Sequence, residues 1–142
     1  MKSNKHEIKV FISHSNEDAG FAQEVRDLLV RRTNAHVFTT EDLSAGEKWE
    51  AKLRNELAST DVVVALLTPT SVDSSWVLHE IGAAWALQKR IIPVVSGRDV
   101  LKRIPLPLDS AHIIELKDVE TAENADRFVD AFEENLTTAH PS

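Results

Sequence analysis

The stretch Asp61-Val62-Val63-Val64-Ala65-Leu66-Leu67-Thr68 constrains this chain more than any other. It is a continuous apolar run that does not alternate with polar residues. A strand with one face in water alternates; a strand that is apolar on both faces is covered on both sides, as in parallel sheets layered between helices. Parallel strands also need crossover connections, which are usually helical. The rest of the chain must therefore supply helices for two faces of one sheet.

It does so in regular alternation. Ile8-Lys9-Val10-Phe11-Ile12 reads as a strand from its β-branched and aromatic content. A polar break follows, in which Ser15 and Asp18 have capping-box spacing, and then a helix with Phe21, Val25, Leu28 and Leu29 on one face. His36 to Thr40 forms a second short strand, and Glu41 to Gly46 a polar loop. Ser44 and Glu47 make a second capping pair before a helix carrying Trp49, Leu53 and Leu57. Ser74 or Ser75 caps an apolar helix over Trp76–Gln88. Arg90 to Val95 is a fourth strand, where Pro93 is expected near the end or at a bulge because it has no N–H for an interior ladder. Ser96 to Ala111 is irregular, with a short helix around Val100 to Arg103. His112 to Leu116 is a fifth strand, and Thr121 to Leu136 a closing helix with Phe128, Val129, Phe132 and Leu136 inward. This order predicts an α/β, three-layer, flavodoxin-like sandwich around a five-stranded parallel sheet of order 2-1-3-4-5. Ligands bind such sheets beyond the carboxyl ends of the strands. Here that rim comprises Ser13–Asp18, Thr40–Gly46, Thr68–Ser75 and the segment from Ser96.

Bulk properties exclude several functions. The 142 residues suit one domain, 1–142, with its core over about 8–136. A net charge of -7 speaks against nucleic-acid and membrane partners. With no cysteine there is no thiolate catalysis and no disulfide, and with no apolar segment behind the basic start no secretory signal is read, so a cytoplasmic location is expected. The glycines, Gly20, Gly46, Gly82 and Gly97, are too scattered for a dinucleotide fingerprint or a P-loop. A phospho-receiver would need an aspartate where the third strand ends in Leu67-Thr68, but Asp61 lies at the other end. The histidines show no pair at one-turn spacing, so no metal site is expected. Ser13 and Ser15 flank His14 without a glycine elbow, which disfavours a serine hydrolase.

Three stretches resemble one family in order and spacing, the Toll/interleukin-1 receptor (TIR) domains. Val10-Phe11-Ile12-Ser13-His14-Ser15 resembles the opening strand and loop. Val37-Phe38 through Asp42-Leu43-Ser44-Ala45-Gly46 resembles the second strand and the long loop after it. Ser74-Ser75-Trp76-Val77-Leu78-His79-Glu80 matches the Ser-x-Trp-x-x-x-Glu box at the head of the third helix, and Ile91-Ile92-Pro93-Val94-Val95 resembles the fourth strand. There are departures. Ala45 stands where proline often precedes the loop glycine, and Thr40 where an aspartate often follows the second strand. The terminal Phe-Trp pair of animal signalling members is missing, with only Phe128 nearby. The pattern is most similar to bacterial members.

The family's members either dock to one another or cleave NAD at the nicotinamide–ribose bond. The resemblance therefore implies an NAD glycohydrolase or ADP-ribosyl cyclase in which NAD is the substrate and no cofactor is needed. Glu80 would be the catalytic residue. Phe11, Ser13, His14, Ser15, Asp42, Gly46, Trp49 and Trp76 would contact substrate. The resemblance also implies self-association, with the second loop of one copy completing the pocket of the next. A downstream effector would sense the product, in antiphage defence or in host-directed signalling. The alternative is a non-catalytic signalling module working by TIR–TIR contacts. Each residue also has a plainer account. Glu80 could be a first-turn helix glutamate paired with a surface cation, Trp49 and Trp76 packing residues, His14 a solvated loop residue, and Lys102-Arg103 a solvated pair instead of a phosphate contact.

Overall fold

The computed structural model describes residues 7–43, 48–104 and 112–137. Five parallel strands, β1 (Ile8–Ser13), β2 (Ala35–Thr39), β3 (Val62–Leu67), β4 (Arg90–Val95) and β5 (Ile114–Glu115), form one sheet in the order β2-β1-β3-β4-β5. This is the order the alternation predicts. The helices α1 (Ala19–Arg32), α2 (Trp49–Ser59), α3 (Ser75–Ala86) and α4 (Ala122–Thr137) cover its two faces.

Every residue of β3 is buried, and its side chains divide by parity. Val62, Val64 and Leu66 join Val10 and Ile12 of β1 in a cluster with Val25, Leu28 and Leu29 of α1 and Phe128 and Phe132 of α4. The opposite face divides in two. Val63 meets Phe11, Leu53 and Leu57, with Phe38 and Trp49 packed against them. Ala65 and Leu67 meet Val77 and Ile81 of α3 and Val95 of β4. Each fully buried aliphatic side chain contributes about 1.5–3 kcal/mol, so an unbroken apolar run is what the central strand requires.

Several local features differ from the sequence expectations. Pro93 lies inside β4, in register with Ala65 and without a bulge. The Val95 carbonyl accepts from Leu116 N–H on the β5 side, so Pro93, two residues earlier, also directs its backbone toward β5. Among the described residues β4–β5 pairing begins only at Val94, and the missing donor therefore breaks no described ladder. The fifth strand is two residues long, because His112 belongs to a 3-10 turn. Ser15 does not cap a helix N–H; its hydroxyl donates to the Asp18 carboxylate at 3.0 Å, and a 3-10 turn over Asn16–Asp18 precedes α1. Ser74 does cap α3, accepting from Val77 N–H at 3.3 Å. The Ser44–Glu47 pair lies outside the described residues.

Candidate active site

Parity and register bring the site together. Phe11 of β1 pairs in register with Phe38 of β2, and Ile12 with Thr39. Continuing one step sets Ser13 beside Thr40, on the same face as the two phenylalanines, whose rings stand 5.5 Å apart. Two hydroxyls thus follow two aromatics at the carboxyl rim of the sheet. α3 lies over this face and places Glu80 above them: Ser13 Oγ donates to Glu80 Oε1 at 2.6 Å, and Thr40 Oγ1 donates to the same oxygen at 2.9 Å. Thr40 Oγ1 in turn accepts from His14 N–H at 3.1 Å.

Glu80 is 0% exposed. Its second oxygen, Oε2, is buried with no hydrogen-bond partner among the described residues, and no described cation pairs with the carboxylate. Burial pushes the carboxyl up to about 7, against the lowering effect of the Ser13 and Thr40 hydroxyls. The account of Glu80 as an exposed first-turn glutamate paired with a cation therefore does not hold. Glu80 is the sixth residue of α3, beyond the first turn and its free N–H groups, so burial and the two hydroxyls set its charge state.

The other expected site residues separate. Trp49, the first residue of α2, stands edge-on to Trp76 of α3, with centroids 3.9 Å apart and planes at 81°. His79 adds a third ring, 5.0 Å from Trp49. Both tryptophans are half-buried. Trp76 lies one turn before Glu80 on α3, so this aromatic cluster sits at the helix end nearer the carboxylate. Phe11 is fully buried in the apolar cluster beneath Ser13, where its ring supports the site and does not face solvent.

His14 is buried, not a solvated loop residue. Its Nδ1 lies 2.8 Å from the Ser15 carbonyl, which can only accept, so Nδ1 donates there, and its buried Nε2 has no hydrogen-bond partner among the described residues. Ser15 turns to Asp18, whose Oδ2 also accepts from Thr68 Oγ1 at 2.7 Å, tying the first loop to the end of β3. Asp42 accepts from Thr39 N–H at 2.9 Å and lies 3.6 Å from Arg26, away from Glu80's bonds. Gly46 falls outside the described residues.

Thr40 was missed as a contact of Glu80. The signal was the repeated spacing Phe11-x-Ser13 and Phe38-x-Thr40 in two parallel strands, which puts both hydroxyls on one face. Arg103, considered as a phosphate contact, pairs with Asp73 at 2.7 Å. A groove of about 430 Å³ lies elsewhere, between α1 and the start of α4, floored by Leu28, Val119 and Ala125; none of Glu80's partners lines it. Among the described residues no group of three or more histidines and carboxylates is arranged to hold a metal, and no helix is long and apolar enough to cross a membrane.

A family model described as "TIR domain" matches residues 10–133. The chain belongs to the TIR-domain family. No curated protein matches it. Among solved structures, this TIR domain is similar to the RPS4 and RRS1 TIR domain heterodimer, with 17% identity, a TM-score of 0.67, and coverage of 91% of this chain and 97% of that one. It is similar to the TIR domains of the activated Roq1 resistosome that recognises the effector XopQ, with 19% identity, a TM-score of 0.58, and coverage of 92% and 73%. It is also similar to a 2-desoxiribosyltransferase from Leishmania mexicana, with 19% identity and a TM-score of 0.51; the match covers 63% of this chain and 65% of that enzyme's length. At these identities the likeness is one of fold.

Proposed function

We propose that this TIR domain cleaves the nicotinamide–ribose bond of NAD, with Glu80 as the catalytic carboxylate. The observation that carries the reading is the state of Glu80: a buried carboxyl at the carboxyl rim of the sheet, with one oxygen held by two hydroxyls and the other without a partner among the described residues. Buried polar atoms are nearly always paired, and an orphaned one asks for a role. The carboxyl's value of about 7 leaves it partly ionised near neutral pH, where small changes in its surroundings switch its charge.

The chemistry needs little more. Glycoside hydrolysis usually employs an acid for the leaving oxygen and a second carboxylate. The nicotinamide of NAD is already cationic and departs neutral, so no acid is required. Ionised Glu80 holds the ribose hydroxyls and stabilises positive charge as the C–N bond breaks and oxocarbenium character grows. Water then adds to the anomeric carbon and releases a proton, giving ADP-ribose; attack by an internal nucleophile gives a cyclic product. Trp49 and Trp76 offer apolar rings against which the departing nicotinamide can lie. The transferase similar in fold carries by name a glycosyl-transfer chemistry. Glu80 is fully buried, so contact between its carboxylate and the ribose requires a shift of neighbouring groups.

A second reading, a docking module, draws on a different surface. Trp85 and Leu87, 49% and 46% exposed, stand at the far end of α3 from the tryptophan pair. Large exposed apolar residues near one helix end suit protein contact, and the two functions are compatible, since self-association of TIR domains would complete a pocket made by two copies. Incubating the chain with NAD at high protein concentration, and following nicotinamide and ADP-ribose by chromatography, tests the enzymatic reading. Stoichiometric nicotinamide release supports it; intact NAD at every concentration leaves the docking role.

A further inference from the structure

Glu80 is held asymmetrically. Ser13 Oγ and Thr40 Oγ1 each have one proton, and at 2.6 and 2.9 Å both are directed at Oε1. The Thr40 oxygen accepts from His14 N–H at 3.1 Å, which occupies a lone pair and helps turn its O–H toward the carboxylate; the competing Ile12 carbonyl is 3.4 Å away. The donors come from the ends of β1 and β2, whose register fixes them side by side. A carboxylate serving packing alone would be expected to satisfy both oxygens. Here Oε2, equally buried, has no partner among the described residues.

We propose that Ser13 and Thr40 form a clamp that fixes Glu80 through Oε1 and presents Oε2 as the oxygen that meets the ribose hydroxyls and the developing positive charge. The inference rests on the NAD-cleaving reading and assigns Ser13 and Thr40 as positioning residues, where the family resemblance had made Ser13 a substrate contact. With Oε1 taken by two donors, a proton on Glu80 resides on Oε2 and must leave before that oxygen can act. Among the described residues no titratable group is hydrogen-bonded to Glu80. The His14 ring turns to the Ser15 carbonyl, the His79 ring lies against Trp49, and Asp42 is engaged by Thr39 N–H and Arg26. The hydroxyls are thus the polar groups that set its orientation.

The test uses the full chain with Ser13→Ala, Thr40→Val and Thr40→Ser, read in two ways. The first is a carbon-13 NMR titration of the Glu80 side-chain carboxyl without nucleotide, its signal assigned by loss in Glu80→Gln. Ser13→Ala and Thr40→Val should each raise the midpoint by about one pH unit, the scale of one hydrogen bond to a charged group, and Thr40→Ser should restore the parent's value. A midpoint that does not move overturns the clamp, whether or not NAD is turned over. The second is NAD cleavage at a pH above every variant's midpoint, where ionisation is equal. Loss of positioning should lower kcat about tenfold with KM nearly unchanged in Ser13→Ala and Thr40→Val, while Thr40→Ser stays close to the parent. An unchanged kcat with a raised KM makes Ser13 a substrate contact and overturns the positioning role. A shifted midpoint in a chain that releases no nicotinamide retires the NAD reading and leaves the clamp standing. Thr40→Val also strips the His14 N–H of its acceptor; should it fail to fold, the near-isosteric Ser13→Ala decides.

Discussion

Glu80→Gln should remove a pH dependence of stability that the parent carries. The Glu80 carboxyl is raised from 4.5 to about 7, first by burial. A carboxyl raised on folding binds its proton more tightly in the folded state. Its stabilising contribution is complete below about 4.5 and is lost as pH rises through about 7. The full span is about 3 kcal/mol, of which about 2.5 kcal/mol falls between pH 5 and pH 8. Glutamine keeps an oxygen for Ser13 and Thr40 and cannot ionise, so whatever it costs is independent of pH. In a chain of this size about 1 kcal/mol moves Tm by roughly 4 °C, so the Tm difference, Glu80→Gln minus parent, should rise by about 10 °C from pH 5 to pH 8. Thermal unfolding followed by circular dichroism at matched ionic strength measures it. Taking the difference removes the contributions of the other ionisable groups. A Tm difference equal at both pH values would refute the claim that burial holds this carboxyl near neutrality.

The same ionisation predicts that kcat/KM for NAD rises with pH through about 7 and then levels off, the midpoint being that of the free enzyme; a rate falling over that range would make the protonated form the active one. Trp76→Ala should cost about 2–3 kcal/mol in urea unfolding, less than the 3–5 kcal/mol of a fully buried aromatic, because Trp76 is half-buried against Trp49; it should also raise KM for NAD. Activity per molecule should fall on dilution if a second copy completes the pocket, and a flat dilution series would show that one chain suffices.

The layer order was legible because it follows from patterns that act locally. Val62 to Leu67 is apolar on both faces, and α1 and α4 carry their apolar residues at helical spacing. Details fixed by partners distant in sequence were not. Pro93 looked ill-placed because its side of the ladder is set by β5, and β5 is short because His112 enters a turn. Ser15 had capping spacing, yet Thr68, distant in sequence, engages the same Asp18 carboxylate that draws its hydroxyl. Glu80 was recognisable from its box with Trp76, but its full burial depends on β1 and β2 beneath it. Thr40 was noted only as a departure from the family's aspartate, although the aromatic-x-hydroxyl spacing it shares with Ser13 held the clue.

The most direct measurement compares nicotinamide release from NAD by the parent and by Glu80→Gln, at pH 8 and high protein concentration, after circular dichroism has shown both folded. Gln preserves shape and the bonds from Ser13 and Thr40 but lacks the charge that meets the oxocarbenium. Losing one such electrostatic contact costs about a hundredfold to a thousandfold in rate. The account predicts steady release by the parent and a loss of that size in the variant. A folded Glu80→Gln chain that releases nicotinamide as fast as the parent would contradict it.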